Sequence, residues 1–247
     1  MAARDPVPSV STTPACQVCA STDIREYHHD GRGTLYGCRG CGLAFLHPIP
    51  DAAAQADLYA AEGIGARYFS KVERKVARMR MRRFAPGGRF LDAGCNGGFM
   101  VEAARLAGFE AVGVEPDAPS VAWAREHFPA NRYVVAALEQ FAASSPDERF
   151  DAVYCSEVIE HASDCNRFTA ALAHVVRPGG ALYLTTPDIT HWRRPRDLAR
   201  WDAYKPPEHC LYFGPKSLTQ LLARHGFAIA DRAFAWKPGI KVIARRR

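Results

Sequence analysis

The chain has 247 residues, 48% of them hydrophobic, which is enough to bury the core of one large domain and to add a small module. No apolar run approaches the roughly 20 residues of a membrane-spanning helix, and the first residues lack a signal peptide's apolar core. We therefore expect a cytoplasmic protein that does not contact membranes. The net charge of +6 favours anionic partners only weakly, because many enzymes are as basic.

Two closely spaced cysteine pairs follow a Pro/Ser/Thr-rich stretch, residues 1–14, that we expect to be disordered. The pairs are Cys16-x-x-Cys19 and Cys38-x-x-Cys41, with 18 residues between them. This spacing is typical of a tetrahedral Zn²⁺ site with four thiolate ligands, which leaves no position for water. We therefore predict a structural zinc module over residues 15–50.

A basic helix is predicted within the next segment, residues 51–88. Ser70 and Glu73 form a capping box at the start of a helical pattern that runs over residues 70–84. Seven of its side chains are Lys or Arg. They form either the solvated face of a packing helix or a surface that binds phosphate groups, and the sequence leaves both open.

From residue 89 onward, strand and helix patterns alternate, which indicates a mostly parallel sheet. The helices are predicted near 98–107, 117–128, 138–144, 165–176 and 216–225, and Arg177–Gly180 as a turn. The last two strands are joined by too few residues for a crossover helix and must be antiparallel. The strands are predicted near 89–93, 111–115, 132–136, 150–156, 180–186, 227–234 and 239–245.

A glycine-rich turn follows the first strand of this region, with the pattern Asp92-x-Gly94-x-Asn96-Gly-Gly98. Glycine lets the backbone approach a ligand closely, and the helix that follows offers unpaired N–H groups. The next strand ends in Glu115, about 20 residues past the turn, where a carboxylate can bind ribose hydroxyls. Asp92 would repel a pyrophosphate but suits a ligand with an ammonium group.

This stretch resembles the first motif of class I S-adenosylmethionine-dependent methyltransferases, Asp-x-Gly-x-Gly-x-Gly. The chain departs from it at Asn96, where the middle glycine is usual. Asn tolerates the left-handed conformation better than most residues, so we expect the turn to survive. A second departure is the lack of an acid between Val135 and Leu138, where such enzymes usually bind the adenine amine.

A second motif follows the strand near 150–156 and reads Glu157-Val-Ile-Glu-His161. Together with Arg-Pro-Gly-Gly180 and Thr186-Pro187, it resembles the methyltransferase family that contains the ubiquinone-pathway O-methyltransferases. The resemblance implies a seven-stranded Rossmann-like α/β sheet that ends in a reversed hairpin. It also implies that S-adenosylmethionine is bound by a set of strand-end residues: Asp92, Gly94, Asn96, Gly98, Glu115, Pro116, Ser156 and Glu157.

The cysteine pairs and the tail Lys205-Pro-Pro-Glu-His209 resemble methyltransferases of sugar, polysaccharide and natural-product pathways. The methyltransferase domain would then span residues 89–247, with an acceptor-binding insert over 188–215. A hydroxyl acceptor must lose a proton, and a histidine suits that step. His161 and His209 are the candidate bases. Five aromatic residues of the insert could line the acceptor pocket or only pack the insert onto the sheet: Trp192, Trp201, Tyr204, Tyr212 and Phe213.

The sequence is compatible with three different functions. The first is a methyltransferase that acts on a small molecule, a sugar or secondary metabolite, through a hydroxyl oxygen. The second is an RNA methyltransferase whose basic helix and zinc module hold phosphates, although no RNA-binding signature is present. The third is a binding module that keeps the cofactor fold without activity. The oligomeric state is not indicated.

Overall fold

The computed structural model describes residues 14–51, Ala54 and residues 87–247. The predicted basic helix over 70–84 lies outside them, and so does nearly all of the stretch 1–14. Among the described helices, none is both long and apolar enough to cross a membrane.

Eleven strands and five α-helices are described, and the predicted elements from residue 89 onward are all present. The helices are α1 (Phe99–Leu106), α2 (Ala118–His127), α3 (Leu138–Ser144), α4 (Cys165–Val175) and α5 (Pro215–Arg224). The strands are β1 (Ile24–Asp30), β2 (Gly33–Cys38), β3 (Ala44–Leu46), β4 (Arg89–Ala93), β5 (Glu110–Glu115), β6 (Arg132–Val135), β7 (Phe150–Ser156), β8 (Val176–Thr186), β9 (Leu211–Tyr212), β10 (Phe227–Arg232) and β11 (Ile240–Arg246).

Seven strands form the main sheet, in the order β10-β11-β8-β7-β4-β5-β6. Strands β4 to β8 pair in parallel, whereas β11 pairs antiparallel with both β8 and β10. The predicted α/β sheet with a reversed terminal hairpin is confirmed. Adjacent residues Phe90 and Leu91 of β4 are both fully buried and belong to different core clusters, as expected for a strand covered on both faces.

Strand β8 begins four residues earlier than predicted. Val176 already pairs with Phe150, and Ala181 pairs with Ala152, so β8 holds extra residues opposite β7. Gly179 has a φ of 74° within this irregular stretch. The proline and glycines of Arg177–Gly180 predict a turn, but the segment lies within β8 as a bulge between the paired residues Val176 and Ala181.

A second sheet of four strands has the order β1-β2-β3-β9. Its first three strands belong to the cysteine-rich segment, whereas β9 comes from the insert 188–215. Ala44 and Phe45 pair with Tyr212 and Leu211, and the amide of Leu46 donates to the carbonyl oxygen of Cys210 at 2.8 Å. The cysteine-rich segment is therefore joined to the insert by backbone hydrogen bonds.

Gln17 makes a second connection between the cysteine-rich segment and the main domain. Its Nε2 donates to the carbonyl oxygen of Ser163 at 2.9 Å, and its Oε1 accepts from the amide of Cys165 at 2.9 Å. The Nδ2 of Asn166 donates to the backbone oxygen of Gln17 at 2.7 Å. These bonds satisfy polar groups at the start of α4, where a helix has amides without intrahelical partners.

We predict that Gln17→Ala lowers the free energy of unfolding by about 1–2 kcal/mol, because it leaves the Cys165 amide and the Ser163 carbonyl without this partner. Urea denaturation measures the change. Gln220→Ala, at an exposed position of α5, is the matched control and should change stability by less than about 0.5 kcal/mol. Equal stability of the two variants would contradict this role of Gln17.

Candidate functional site

The candidate site lies where the carboxyl ends of β4, β5 and β7 meet. Strand β4 pairs with β5 on one side and with β7 on the other, so the chain order reverses at β4. Ligands of open α/β sheets bind at such a reversal, outside the carboxyl ends of the strands. The sheet thus brings the predicted cofactor residues of all three strand ends to one edge.

In the turn after β4, the backbone lies close to a neighbouring side chain, as the glycines of the turn predict. Gly94 has a φ of 78°, and a Cβ placed there would lie 2.5 Å from Cγ2 of Val158. Gly98 has a φ of 76° immediately before α1. Asn96 adopts the left-handed conformation that we expected of it, with a φ of 46°, and its Oδ1 accepts from the amide of Gly97 at 2.7 Å.

Glu115 joins the turn to the end of β5. Its Oε2 accepts from the amide of Asn96 at 2.9 Å, and its Oε1 accepts from the amide of Asp117 at 3.1 Å. The carboxyl group is buried, and burial raises its pKa. Each carboxylate oxygen has a second lone pair, so both can still accept a hydrogen bond from a ligand hydroxyl. Asp92 is also buried, whereas Pro116 is exposed.

The end of β7 carries a residue in an unusual backbone conformation. Glu157 has a φ of 57°, which is uncommon outside glycine and costs energy unless its surroundings hold it. Its amide donates to the carbonyl oxygen of Thr185 at 3.0 Å, and its Oε1 accepts from the Thr185 hydroxyl at 2.7 Å. The hydroxyl groups of Thr185 and Ser156 also lie 2.7 Å apart.

His161 and His209 are 48 residues apart in sequence, but the fold brings them together. Their ring centroids are 4.4 Å apart and the rings are nearly perpendicular. His161 Nδ1 lies 3.1 Å from the carbonyl oxygen of Glu208, and His209 Nδ1 lies 2.8 Å from that of Ala203. Because the amide of Cys210 donates to the Glu160 carbonyl at 2.8 Å, the two histidine loops are joined directly.

Burial shifts the pKa values of two groups beside this contact. It lowers the pKa of His161 to about 3, and the neighbouring His209 acts in the same direction. Burial also raises the pKa of the Glu160 carboxyl well above its usual range, with a further contribution from nearby Glu157. His161 is therefore a neutral imidazole near pH 7, and it cannot retain a proton there.

Several residues of this edge were not predicted from the sequence as site residues. Glu160 is fully buried, and its Oε2 accepts from the Thr186 hydroxyl at 2.9 Å. Thr186 had been noted only as the end of a strand, and Thr185 carried no signal. The hydroxyl of Tyr133 lies against Gly98 and has no hydrogen-bond partner among the residues that the structure describes.

The aromatic residues of the insert mainly pack it against the rest of the chain. Trp201, Tyr204 and Tyr212 are buried in one cluster with Leu35 and Leu46 of the cysteine-rich segment. Phe213 is buried in the core beside the main sheet, whereas Trp192 is 74% exposed. Packing, one of the two roles left open by the sequence, therefore accounts for four of the five residues.

The four predicted zinc ligands converge at one place. The sulfur atoms of Cys16 and Cys41 are 3.5 Å apart, those of Cys19 and Cys38 are 3.4 Å apart, and all four lie within 4.8 Å of one another. These distances exclude disulfide bonds, which are about 2.05 Å long. They fit a tetrahedral site, in which Zn–S bonds of about 2.3 Å place the sulfur atoms roughly 3.8 Å apart.

A family model described as a methyltransferase domain matches residues 65–231. The chain belongs to this methyltransferase family. The resemblance to class I S-adenosylmethionine-dependent methyltransferases that the two motifs indicated is confirmed.

Curated relatives of this methyltransferase domain include the ubiquinone biosynthesis O-methyltransferase of Rhodopseudomonas palustris strain BisB18. It is 28% identical over 166 residues, which cover 60% of this chain and 61% of that protein. The corresponding enzyme of Aromatoleum aromaticum is 38% identical over 104 residues, covering 40% of this chain and 44% of the relative. The chain thus spans at most about six tenths of the length of these relatives.

Solved structures share the fold at low sequence identity. The 1,6-didemethyltoxoflavin-N1-methyltransferase of Burkholderia thailandensis, solved with that compound and S-adenosylhomocysteine, has a TM-score of 0.59 and 14% identity, covering 90% of this chain and 98% of its own. The PH0226 protein of Pyrococcus horikoshii OT3 has a TM-score of 0.58 and 17% identity, covering 74% of this chain and 92% of its own.

We predict that Gly94→Ala destabilises the protein by at least about 2 kcal/mol, since a left-handed φ costs an alanine roughly 1–2 kcal/mol and the new Cβ would also overlap Val158. Gly108→Ala is the matched control, because Gly108 has a φ of 93° and no described atom within 4 Å of an added Cβ. The control should cost only the conformational part, about 1 kcal/mol. Urea denaturation compares the two, and equal losses would rule out a tight contact at the turn.

Proposed function

We propose that this chain transfers the methyl group of S-adenosylmethionine to a hydroxyl oxygen of a small molecule, a sugar or a secondary metabolite. The observation that carries the proposal is the convergence of Asp92, Glu115 and the His161–His209 contact at the carboxyl edge of one sheet. The O-methyltransferase names of the curated relatives support an oxygen acceptor.

In this proposal the cofactor lies across the ends of β4, β5 and β7. Asp92 pairs with its ammonium group, Glu115 accepts from its ribose hydroxyls, and the turn from Gly94 to Gly98 lets it approach the backbone. Pro116, Ser156 and Glu157 complete the contact surface. The Glu115 carboxylate already binds the Asn96 amide, so the ribose would meet a group that is fixed before binding.

Methyl transfer is an in-line displacement at the sulfonium carbon, in which positive charge is dispersed. Orientation of the acceptor can supply up to roughly 7–11 kcal/mol of the rate enhancement. His161 and His209 are proposed to act on the acceptor oxygen. Because the pKa of His161 is about 3, the hydroxyl proton cannot remain on His161 at neutral pH and must pass to His209 or to solvent.

The cysteine-rich segment is proposed to bind one structural Zn²⁺ through Cys16, Cys19, Cys38 and Cys41. Metal binding would contribute on the order of 10 kcal/mol to the folding of this short segment. We retain residues 15–50 as the zinc module, 51–88 as a linker with a basic helix, and 89–247 as the methyltransferase domain. Because β3 pairs with β9, the proposed zinc module packs directly against the insert that carries His209.

We predict that Asp92→Asn and Glu115→Gln each weaken S-adenosylmethionine binding at least about tenfold, because each removes a charge from a proposed cofactor contact. Isothermal titration calorimetry measures the affinity. Glu110→Gln, an exposed position at the start of β5, is the control and should bind as the wild type does. Zinc content should be the same in all three variants, and wild-type affinity in the first two would refute the assignment.

We expect methyl-labelled S-adenosylmethionine, incubated with the full chain and fractionated extract of the source cell, to label small molecules that resist nuclease. Label that ribonuclease releases would instead support an RNA methyltransferase. Failure of the chain to bind the cofactor in calorimetry would support the inactive-module hypothesis and contradict this proposal.

A further inference from the structure

Three aromatic side chains and one arginine form an exposed group, the aromatic cluster, which consists of Trp192, Arg193, Phe234 and Trp236. Its rings are the most exposed large apolar side chains that the structure describes, at 74% for Trp192, 76% for Phe234 and 63% for Trp236. The two indole rings are perpendicular with centroids 6.4 Å apart, and the centroids of Phe234 and Trp236 are 6.1 Å apart. A contiguous exposed apolar patch often marks a binding site, whereas single exposed apolar side chains are ordinary.

The aromatic cluster lies at the same edge of the main sheet as the candidate site. Thr185 of β8 pairs with Ser156 of β7 on one side and with Lys241 of β11 on the other. Trp192 lies in the insert that follows β8, and Trp236 lies in the loop between β10 and β11. Two interstrand spacings, about 10 Å, separate β7 from β11. An extended small molecule can therefore contact both the cofactor edge and the aromatic cluster.

His191 joins the two segments that carry the aromatic cluster. Its Nε2 donates to the carbonyl oxygen of Ala235 at 3.0 Å, and its Nδ1 accepts from the amide of Arg193 at 3.1 Å. Both ring nitrogens of a neutral imidazole are thus used, one as a donor and one as an acceptor. The ring also stacks on Trp192, with centroids 5.8 Å apart. The insert and the loop are held together before any ligand binds, which lowers the entropic cost of binding.

Arg193 supplies an independent observation. Its guanidinium carbon lies 4.3 Å from the centroid of the Trp236 ring and 5.4 Å from that of Trp192. Such stacking restrains the guanidinium plane and leaves N–H groups free at its rim. Among the described residues, none forms a side-chain hydrogen bond or an ion pair with this guanidinium. The exposed cation is therefore available to a carboxylate or phosphate, which an arginine binds through two parallel hydrogen bonds.

We propose that the aromatic cluster is a subsite for the acceptor. Arg193 binds a carboxylate or phosphate group of the acceptor, and the indole ring of Trp192 or Trp236 stacks on a flat ring beside that group. This subsite rests on the methyl transfer proposed above and defines the acceptor's chemistry. The acceptor carries a ring with an anionic group at one end and the hydroxyl that is methylated at the other. An aromatic face recognises the ring and the guanidinium rim recognises the anion, so the ligand needs both features.

The charges along the edge would orient such an acceptor. The carboxyl groups of Asp92 and Glu157 lie beside the ends of β4 and β7, whereas Arg193 lies beyond the end of β8. An anionic group is repelled by the strand-end carboxylates and attracted by the guanidinium. The neutral hydroxyl end of the acceptor is then directed toward the cofactor site.

The test is binding of small fragments to the full chain, followed by NMR of ¹⁵N-labelled tryptophan. The chain has four tryptophans, so four indole N–H signals report the binding, and buried Trp201 serves as the internal reference. We expect phenyl phosphate and benzoate to shift the signals of Trp192 and Trp236 and to leave that of Trp201 unchanged. Benzyl alcohol has the ring without the charge, and inorganic phosphate has the charge without the ring. Each should bind at least about tenfold more weakly.

The two anionic fragments also distinguish the two possible anionic groups of the acceptor. Tighter binding of phenyl phosphate would assign a phosphate to the acceptor, and tighter binding of benzoate would assign a carboxylate.

A substitution assigns the contact to the aromatic cluster. Arg193→Gln should weaken the binding of phenyl phosphate and benzoate at least about tenfold and remove their advantage over benzyl alcohol. Arg196→Gln, at another exposed arginine of the insert, is the matched control and should bind the fragments as the wild type does. Unshifted signals of Trp192 and Trp236, equal affinity for benzyl alcohol, or anion binding that Arg193→Gln leaves unchanged would overturn the subsite.

The outcomes separate this inference from the proposed function, because the fragments are titrated without cofactor and S-adenosylmethionine affinity is measured independently. Cofactor binding in a chain that binds none of the fragments would refute the subsite and leave the methyltransferase proposal intact. Fragment binding at Arg193 in a chain that does not bind S-adenosylmethionine would refute the methyltransferase proposal and, with it, the acceptor role of the aromatic cluster.

Discussion

The arrangement of the candidate site depends on one backbone hydrogen bond, from the amide of Cys210 to the carbonyl oxygen of Glu160. It joins the loop after β7 to the insert, two segments that are distant in sequence. Glu160 and His161 lie on one side of this bond, and His209 lies on the other. Because the carbonyl oxygen of Cys210 also accepts from the amide of Leu46, the same residue connects the main domain with the cysteine-rich segment.

The cysteine-rich segment is therefore part of the construction of the site. Strand β3 pairs with β9, which follows the loop that carries His209, and Gln17 bonds to the start of α4, a few residues past His161. Loss of the cysteine cluster would remove support from both histidine loops at once. A structural metal at the four cysteines, as proposed above, would thus support both histidine loops without contacting them.

Local features of the fold could be predicted from the sequence, whereas tertiary contacts could not. The bounds of β4 and β7 and the left-handed conformation at Asn96 follow from short patterns of apolar residues and turn residues. By contrast, the two-residue strand β9 has no pattern of its own and exists only because β3 lies beside it. His161 and His209 were each predicted as a base, but their contact depends on pairing between distant segments. Glu160 reads as an ordinary acid until its complete burial is known.

The charge of the site differs in sign from that of the whole chain, and this difference bears on the acceptor. The net charge is +6, yet four carboxyl groups lie at the strand ends of one edge, those of Asp92, Glu115, Glu157 and Glu160, although burial raises the pKa of Glu115 and Glu160. Ionised carboxylates at such an edge attract a sulfonium or an ammonium group and repel phosphate groups. A polyanionic RNA would have to approach against this field, whereas a neutral hydroxyl compound would not. The acidic groups among the described residues are therefore consistent with the proposed small-molecule acceptor.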